Sequence, residues 1–142
     1  MHGQKKIDIK DLAQLLRCAN IYQFDYITES NEYQFLLYLD CGNQSNSVCH
    51  GTLQHVSSGC QLQIQPDRWR GRVIEPAELQ RRNEILRQTL RYPPQFCQLD
   101  DGVWLQAFIA TGTRLEYHFS ATLLLMLRIV RDALFGAEHK QP

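Results

Sequence analysis

The chain has 142 residues, 44% of them hydrophobic and 21% charged, which fits one globular domain spanning the whole sequence and excludes wholesale disorder. Fifteen basic and fifteen acidic residues cancel, so no whole-molecule field draws it onto nucleic acid or an anionic membrane. The longest apolar run, Leu123 to Leu127, is far below the ~20 residues that cross a bilayer.

Ile9, Leu12, Leu15, Leu16 and Ala19 recur at three- and four-residue spacing, predicting an amphipathic helix over 8–19 with Asp8 as cap and Asn20 as stop. Residues 21–29 alternate with strand spacing through Tyr22, Phe24 and Tyr26. Ser30-Asn31 turns the chain into a second alternating run, with Tyr33, Phe35, Leu37 and Leu39 on one face. Residues 42–47 read as loop, 48–56 as a third strand interrupted by Gly51, and 60–64 as a fourth strand or a continuation ended by Pro66. An irregular connector, 66–75, leads to a helix over 76–91 that starts on Pro76 and presents Leu79, Asn83, Leu86 and Leu90 on one side. Pro93 and Pro94 forbid its continuation.

The clearest architectural signal follows. Apolar-rich runs 95–100 and 102–110 flank Asp100-Asp101-Gly102, predicting a hairpin with Val103, Leu105, Ala107 and Ile109 on one face and Trp104, Gln106 and Phe108 on the other. Thr113 and Glu116 have capping-box spacing at the head of a long apolar helix ending near Gly136, with 137–142 as a frayed tail. Leu124, Leu125 and Ile129 widen its apolar stripe and suit burial against a second copy of the chain. The predicted fold class is α+β, an antiparallel sheet flanked by helices in the order α-β-β-β(-β)-α-β-β-α.

Candidate chemistry is sparse. Cys49, His50, His55 and Cys60 have metal-ligand residue types, but not the tight paired spacing of a zinc knuckle, and on a regular strand His50 and His55 point to opposite faces. A Cys97 thiol activated by His118 would need an approach that nothing in the spacing provides. Asp100 and Asp101 suit a turn better than a catalytic pair. No phosphate-binding glycine loop or serine elbow occurs. Neither a metal nor an organic cofactor is expected. Five cysteines, an odd number, without a signal-peptide apolar core point to reduced thiols and the cytoplasm.

Seven of the fifteen basic residues, all arginine, fall within 68–91; against four carboxylates they leave 67–91 at +3. They read either as a solvated helix face of Glu–Arg neighbours or as a contact for acidic peptide groups, with nucleic acid the lesser alternative. Trp69 between Arg68 and Arg70 favours contact. Trp104 and Phe108, joined by Tyr22, Phe24 and Tyr26, would be exposed if helices cover one sheet face only. The other reading has the connector or a dimer partner covering them.

The element order and the residues Asn83, Tyr92-Pro93, Phe96, Leu99-Asp100-Asp101-Gly102-Val103 and Leu123 to Leu134 resemble the YbjN-like and type III secretion chaperone-like proteins. The resemblance covers about two-thirds of the chain. It implies a non-enzymatic chaperone or assembly factor whose helix-flanked sheet holds a segment of another protein. Secretion chaperones are usually acidic, and this neutral chain departs from them. Among small members outside secretion it is most similar to cyanobacterial carboxysome-assembly chaperones, implying as client the extended C-terminal tail of a shell protein. The expected site is a strand edge with Trp69, Trp104 and Phe108 as apolar anchors and Arg70, Arg72 and Arg82 for acidic groups. On that reading Trp104→Ala weakens client binding more than folding. The rival classes are a zinc- or thiol-dependent enzyme and a nucleic-acid adaptor built on the arginine segment; membrane association is not expected.

Overall fold

The first helix, α1 (Ile9–Cys18), buries Leu12, Leu15 and Leu16 and stops where the sequence predicts. Asn20 takes φ of 65° and donates to the Arg17 carbonyl, while the Ile21 N–H reaches back to that of Leu16. This satisfies two helix-end carbonyls and sets Ile21 in the core beside Leu16. The computed structural model of the chain describes residues 9–39, 47–112 and 114–139.

Because Ile21 belongs to that cap, the first strand is shorter than 21–29: β1 is Phe24–Ile27. It pairs with β2 (Glu32–Leu39) across a turn holding Asn31 at φ of 54°. Strands β3 (Ser47–Val56) and β4 (Gly59–Pro66) form the next hairpin, β4 being a separate strand. After α2 (Pro76–Thr89) come β5 (Gln95–Leu99), β6 (Gly102–Ala110) and α3 (Leu115–His139). The six strands lie in the order β1-β2-β3-β4-β6-β5 with every neighbour antiparallel. The α+β class read from the sequence is the observed one.

Register divides the sheet into two faces. Phe35, Gly51, Ile64, Leu105 and Phe96 are successive cross-strand neighbours, and α1 and α3 pack on the face they share. From α3, Phe119, Leu123, Met126 and Val130 complete the core. Gly51 does not interrupt β3: a Cβ there would overlap the Phe35 ring, which occupies the missing side chain's place.

The second helix packs on β5. Buried Asn83 accepts the Phe96 N–H at 2.7 Å and donates to the Phe96 carbonyl at 3.0 Å, occupying the outer edge of that strand as a neighbouring strand would. Gln98 repeats the device toward the connector, accepting from Ile74 N–H at 2.8 Å and donating to the Arg72 carbonyl at 2.9 Å.

Two helix ends differ from expectation. The α2 helix stops at Thr89, whose hydroxyl bonds back to the Ile85 carbonyl, and Leu90 is already extended. The α3 helix runs through Gly136 to His139, because a glycine weakens a helix without breaking it when no proline follows closely. The Asp8 cap, residues 42–46 of the expected 42–47 loop, Thr113 and the last three residues of the tail lie outside the described residues, while Ser47 already belongs to β3. Glu116, expected to reach back to Thr113, accepts the Cys18 thiol of α1 at 3.4 Å. No described helix is long and apolar enough to cross a membrane. On the outer side of α3, Leu124 is exposed while Leu125 and Ile129 are half-buried.

Candidate functional site

The sheet face opposite α1 and α3 carries a central band of amide side chains. Gln34, Thr52, Gln63, Gln106 and Gln95 stand in one cross-strand row. The Gln106 Oε1 accepts from the amides of Gln61 and Gln63, both at 2.9 Å, and Thr52 donates to Gln63 at 3.2 Å. Such a network holds the side chains in fixed positions while leaving spare donors and acceptors toward solvent. Over this row and the next, which runs Leu36–His50–Gln65 with Trp104 beyond, lies an open trough of about 750 Å³.

One end of the trough is built by the connector folding back. The Gly71 N–H donates to the Asp101 carbonyl at 2.8 Å, and Arg70 forms a β-bridge with Gly102. Gly102 sits at φ of 130°, and a Cβ there would overlap the Trp69 carbonyl oxygen, so this close approach requires glycine. Buried Gln65 ties the same corner by donating to the carbonyls of Asp101 and Val103. Trp104 forms the floor; it is 7% exposed and its indole N–H donates to the Asp101 carboxylate at 2.7 Å. In the same row, on β3, the His50 ring lies 3.2 Å from Asp67 and 3.5 Å from Arg70.

Of the six residues expected to bind, the structure places Arg70, Trp104 and Phe108 on this face, and only the first two line the trough. Trp104 is a buried floor rather than an exposed anchor. Phe108 is 55% exposed but lies beyond the row of glutamines, beside Gln61. Trp69 turns to the helix side and packs on Phe96, with ring centroids 5.7 Å apart. Arg72 is exposed away from the trough, and Arg82 is bound to Glu78 at 2.9 Å.

The aromatics of β1 are corrected too. Phe24 and Tyr26 pack on Tyr33, on the helix side, since their register partners are Phe35 and Tyr33. Tyr22 alone of that group is fully exposed. At the β5 edge Asn83 takes the outer backbone groups of Phe96; β1 is the sheet's other edge strand, and the trough lies on the sheet face rather than along the β5 edge.

The arginine helix conforms to the solvated alternative. Glu78 receives Arg81 and Arg82, and Glu84 receives Arg87. Hydrogen bonds from the two guanidinium groups hold the Glu78 carboxyl down at about 2. Being exposed, these pairs contribute little to stability.

Leu36 and Tyr38 are the lining residues that the sequence reading passed over. They are 50% and 70% exposed, and they share a strand face with Glu32 and Gln34. The available signal was a break in alternation: two apolar side chains on the face of β2 that polar residues otherwise occupy.

The metal and thiol candidates are dispersed. Cys49 and Cys60 are buried on the helix face, and burial pushes both thiols up to about 12. His50 stands on the open face and His55, paired with Cys60, on the other. Among the described residues no three metal-ligating side chains converge. Cys97 faces Gln106 across the open face, while α3, which carries His118, packs behind the sheet. The Asp101 carboxylate, read as a solvated turn residue, holds Trp104 instead. Alkylation at mildly alkaline pH with peptide mapping should therefore modify exposed Cys18 and spare Cys49 and Cys60 until denaturant is added. Rapid native labelling of Cys49 would contradict the burial described.

Comparison of the chain with family models, with curated proteins and with solved structures finds no match to any of the three.

Proposed function

We propose that the chain is a non-enzymatic, cytoplasmic binding module that holds a short extended segment of a client protein across the open face of its sheet. The observation that carries this reading is the trough itself, which reaches from Asp25 on β1 to Trp104 on β6. Four inter-strand steps of about 4.8 Å make it roughly 19 Å long, room for about six extended residues. Its fixed glutamine amides can meet peptide N–H and C=O groups, and Leu36 and Tyr38 offer apolar surface for one side chain. The resemblance to the carboxysome-assembly chaperone CcmS directs the choice of client toward the terminal tail of a shell protein, so that holding the tail escorts or positions its owner.

Because Leu36 and Tyr38 project into solvent, replacing them separates binding from folding. Leu36→Asp with Tyr38→Ala should weaken capture of the segment at least tenfold, by about 1.4 kcal/mol or more. Stability should stay within about 0.5–1 kcal/mol of the parent. A benzophenone amino acid at Tyr38 should photocross-link the client in its native cell, and the same probe at Leu124 should not. Undiminished capture by the double variant, or cross-linking at Leu124 alone, would remove the trough from the reading.

A further inference from the structure

We infer that the segment held in the trough is basic. This rests on the trough being the binding surface, and it reverses the acidic client that the arginine segment suggests. Three carboxylates, Asp25, Glu32 and Asp101, line the trough against one arginine, Arg70, and one histidine, His50, whose ring lies 3.2 Å from the Asp67 carboxylate. Arg70 is itself shared, with the Asp67 carboxylate 3.9 Å away. None of the three lining carboxylates has an ion-pair partner among the described residues.

Each keeps most of its accepting capacity. Glu32 takes one amide N–H from Gln34 at 3.0 Å, and Asp101 takes the indole N–H of Trp104 at 2.7 Å. A carboxylate offers about four lone-pair sites, so a visiting ammonium or guanidinium group finds open acceptors at each. The excess is local, since the whole chain is balanced at fifteen against fifteen. The segregation comes from the fold. The arginines of α2 sit on the edge helix with their own glutamates, and the unpaired carboxylates are left on the open face.

The carboxylates are also spaced for a chain crossing the sheet. Asp25 and Glu32 stand at the β1–β2 end, with Asp25 opposite Gln34, one side-chain step from Glu32 on the same face. Asp101 stands at the far end, on the turn into β6. A segment with lysine or arginine toward both ends and an apolar side chain between them matches this arrangement. Its association would be steered by charge and weakened by salt.

The test uses three synthetic eight-residue peptides sharing one central apolar pair and differing only in carrying three lysines, three serines or three glutamates. Binding is read by fluorescence anisotropy at low and high salt, with the full chain and with Asp25→Asn/Glu32→Gln, whose folding is checked by thermal melting. The lysine peptide should bind roughly tenfold more tightly than the glutamate peptide at low salt. The double variant should reduce that preference to about twofold or less. Equal or tighter binding of the glutamate peptide, or a lysine preference that persists in the variant, would overturn the inference while leaving peptide capture intact. Failure of all three peptides to bind at either salt concentration would overturn both this inference and the function on which it rests.

Discussion

Trp104→Ala should destabilise the fold by about 3–5 kcal/mol, the range for removing a buried aromatic side chain. In a chain of this size that lowers Tm by on the order of 10 °C. The indole is 7% exposed and its N–H is held by Asp101 at 2.7 Å, so the substitution loses packing and leaves a carboxylate without its donor. The corner bearing the Gly71–Asp101 hydrogen bond and the Arg70–Gly102 bridge loosens with it. Because that corner closes one end of the trough, capture of a segment should fall too, as a consequence of the lost floor. The order of effects thus inverts the one expected from sequence, where Trp104 was an exposed anchor. Equilibrium denaturation beside a binding titration distinguishes the two. Unchanged stability with lost capture would restore Trp104 to the role of a contact residue.

Asn83→Leu should cost about 2–4 kcal/mol, although leucine is the better helix former and the position is nearly closed to solvent. The amide satisfies both the N–H and the carbonyl of Phe96. Leucine leaves both backbone groups buried without partners, each carrying a desolvation cost of roughly 1–3 kcal/mol. Asn83→Asp provides the second measurement. It keeps the acceptor for the Phe96 N–H and sets a negative charge against the Phe96 carbonyl, so its cost should grow as pH rises through the carboxylate range. Hydrogen exchange would show where the loss falls, with protection of the Phe96 amide dropping before that of β3 and β4. A neutral Asn83→Leu variant would mean that α2 is not held to the edge of the sheet by this contact.

The separation of Trp104 from Leu36 and Tyr38 shows how far residue patterns reach. Alternation correctly assigned Trp104 to the face opposite Val103 and Leu105, and register placed it there. Alternation names a face and cannot say what lies over it. The corner that holds Trp104 through Asp101 is built by a connector that returns from residues 67–72 to the β5–β6 turn, a contact between segments some thirty positions apart. Leu36 and Tyr38 show the converse, apolar residues that stay exposed because no described helix reaches their part of the sheet. The arginine segment misled for a related reason. Clustering along the chain is not clustering in space, and the i,i+3 and i,i+4 glutamates of α2 take up three of the seven, Arg81, Arg82 and Arg87.

Asn20 as a helix stop, Pro76 as a helix start, the reversal at Asp100-Asp101-Gly102 and the strand spacing of β2 and β6 were all readable from residues alone. Each depends on the conformational limits of a few adjacent residues, and those limits travel with the residue type. Strand order, the closing of the β5 edge by Asn83, the vacancy above Gly51 that receives Phe35 and the acidic trough came only with the assembled sheet. They join residues far apart in the chain through register and crossover, up to all six strands in the lining of the trough. No local preference specifies these, since many pairings of the same strands would satisfy every turn and every alternation equally well.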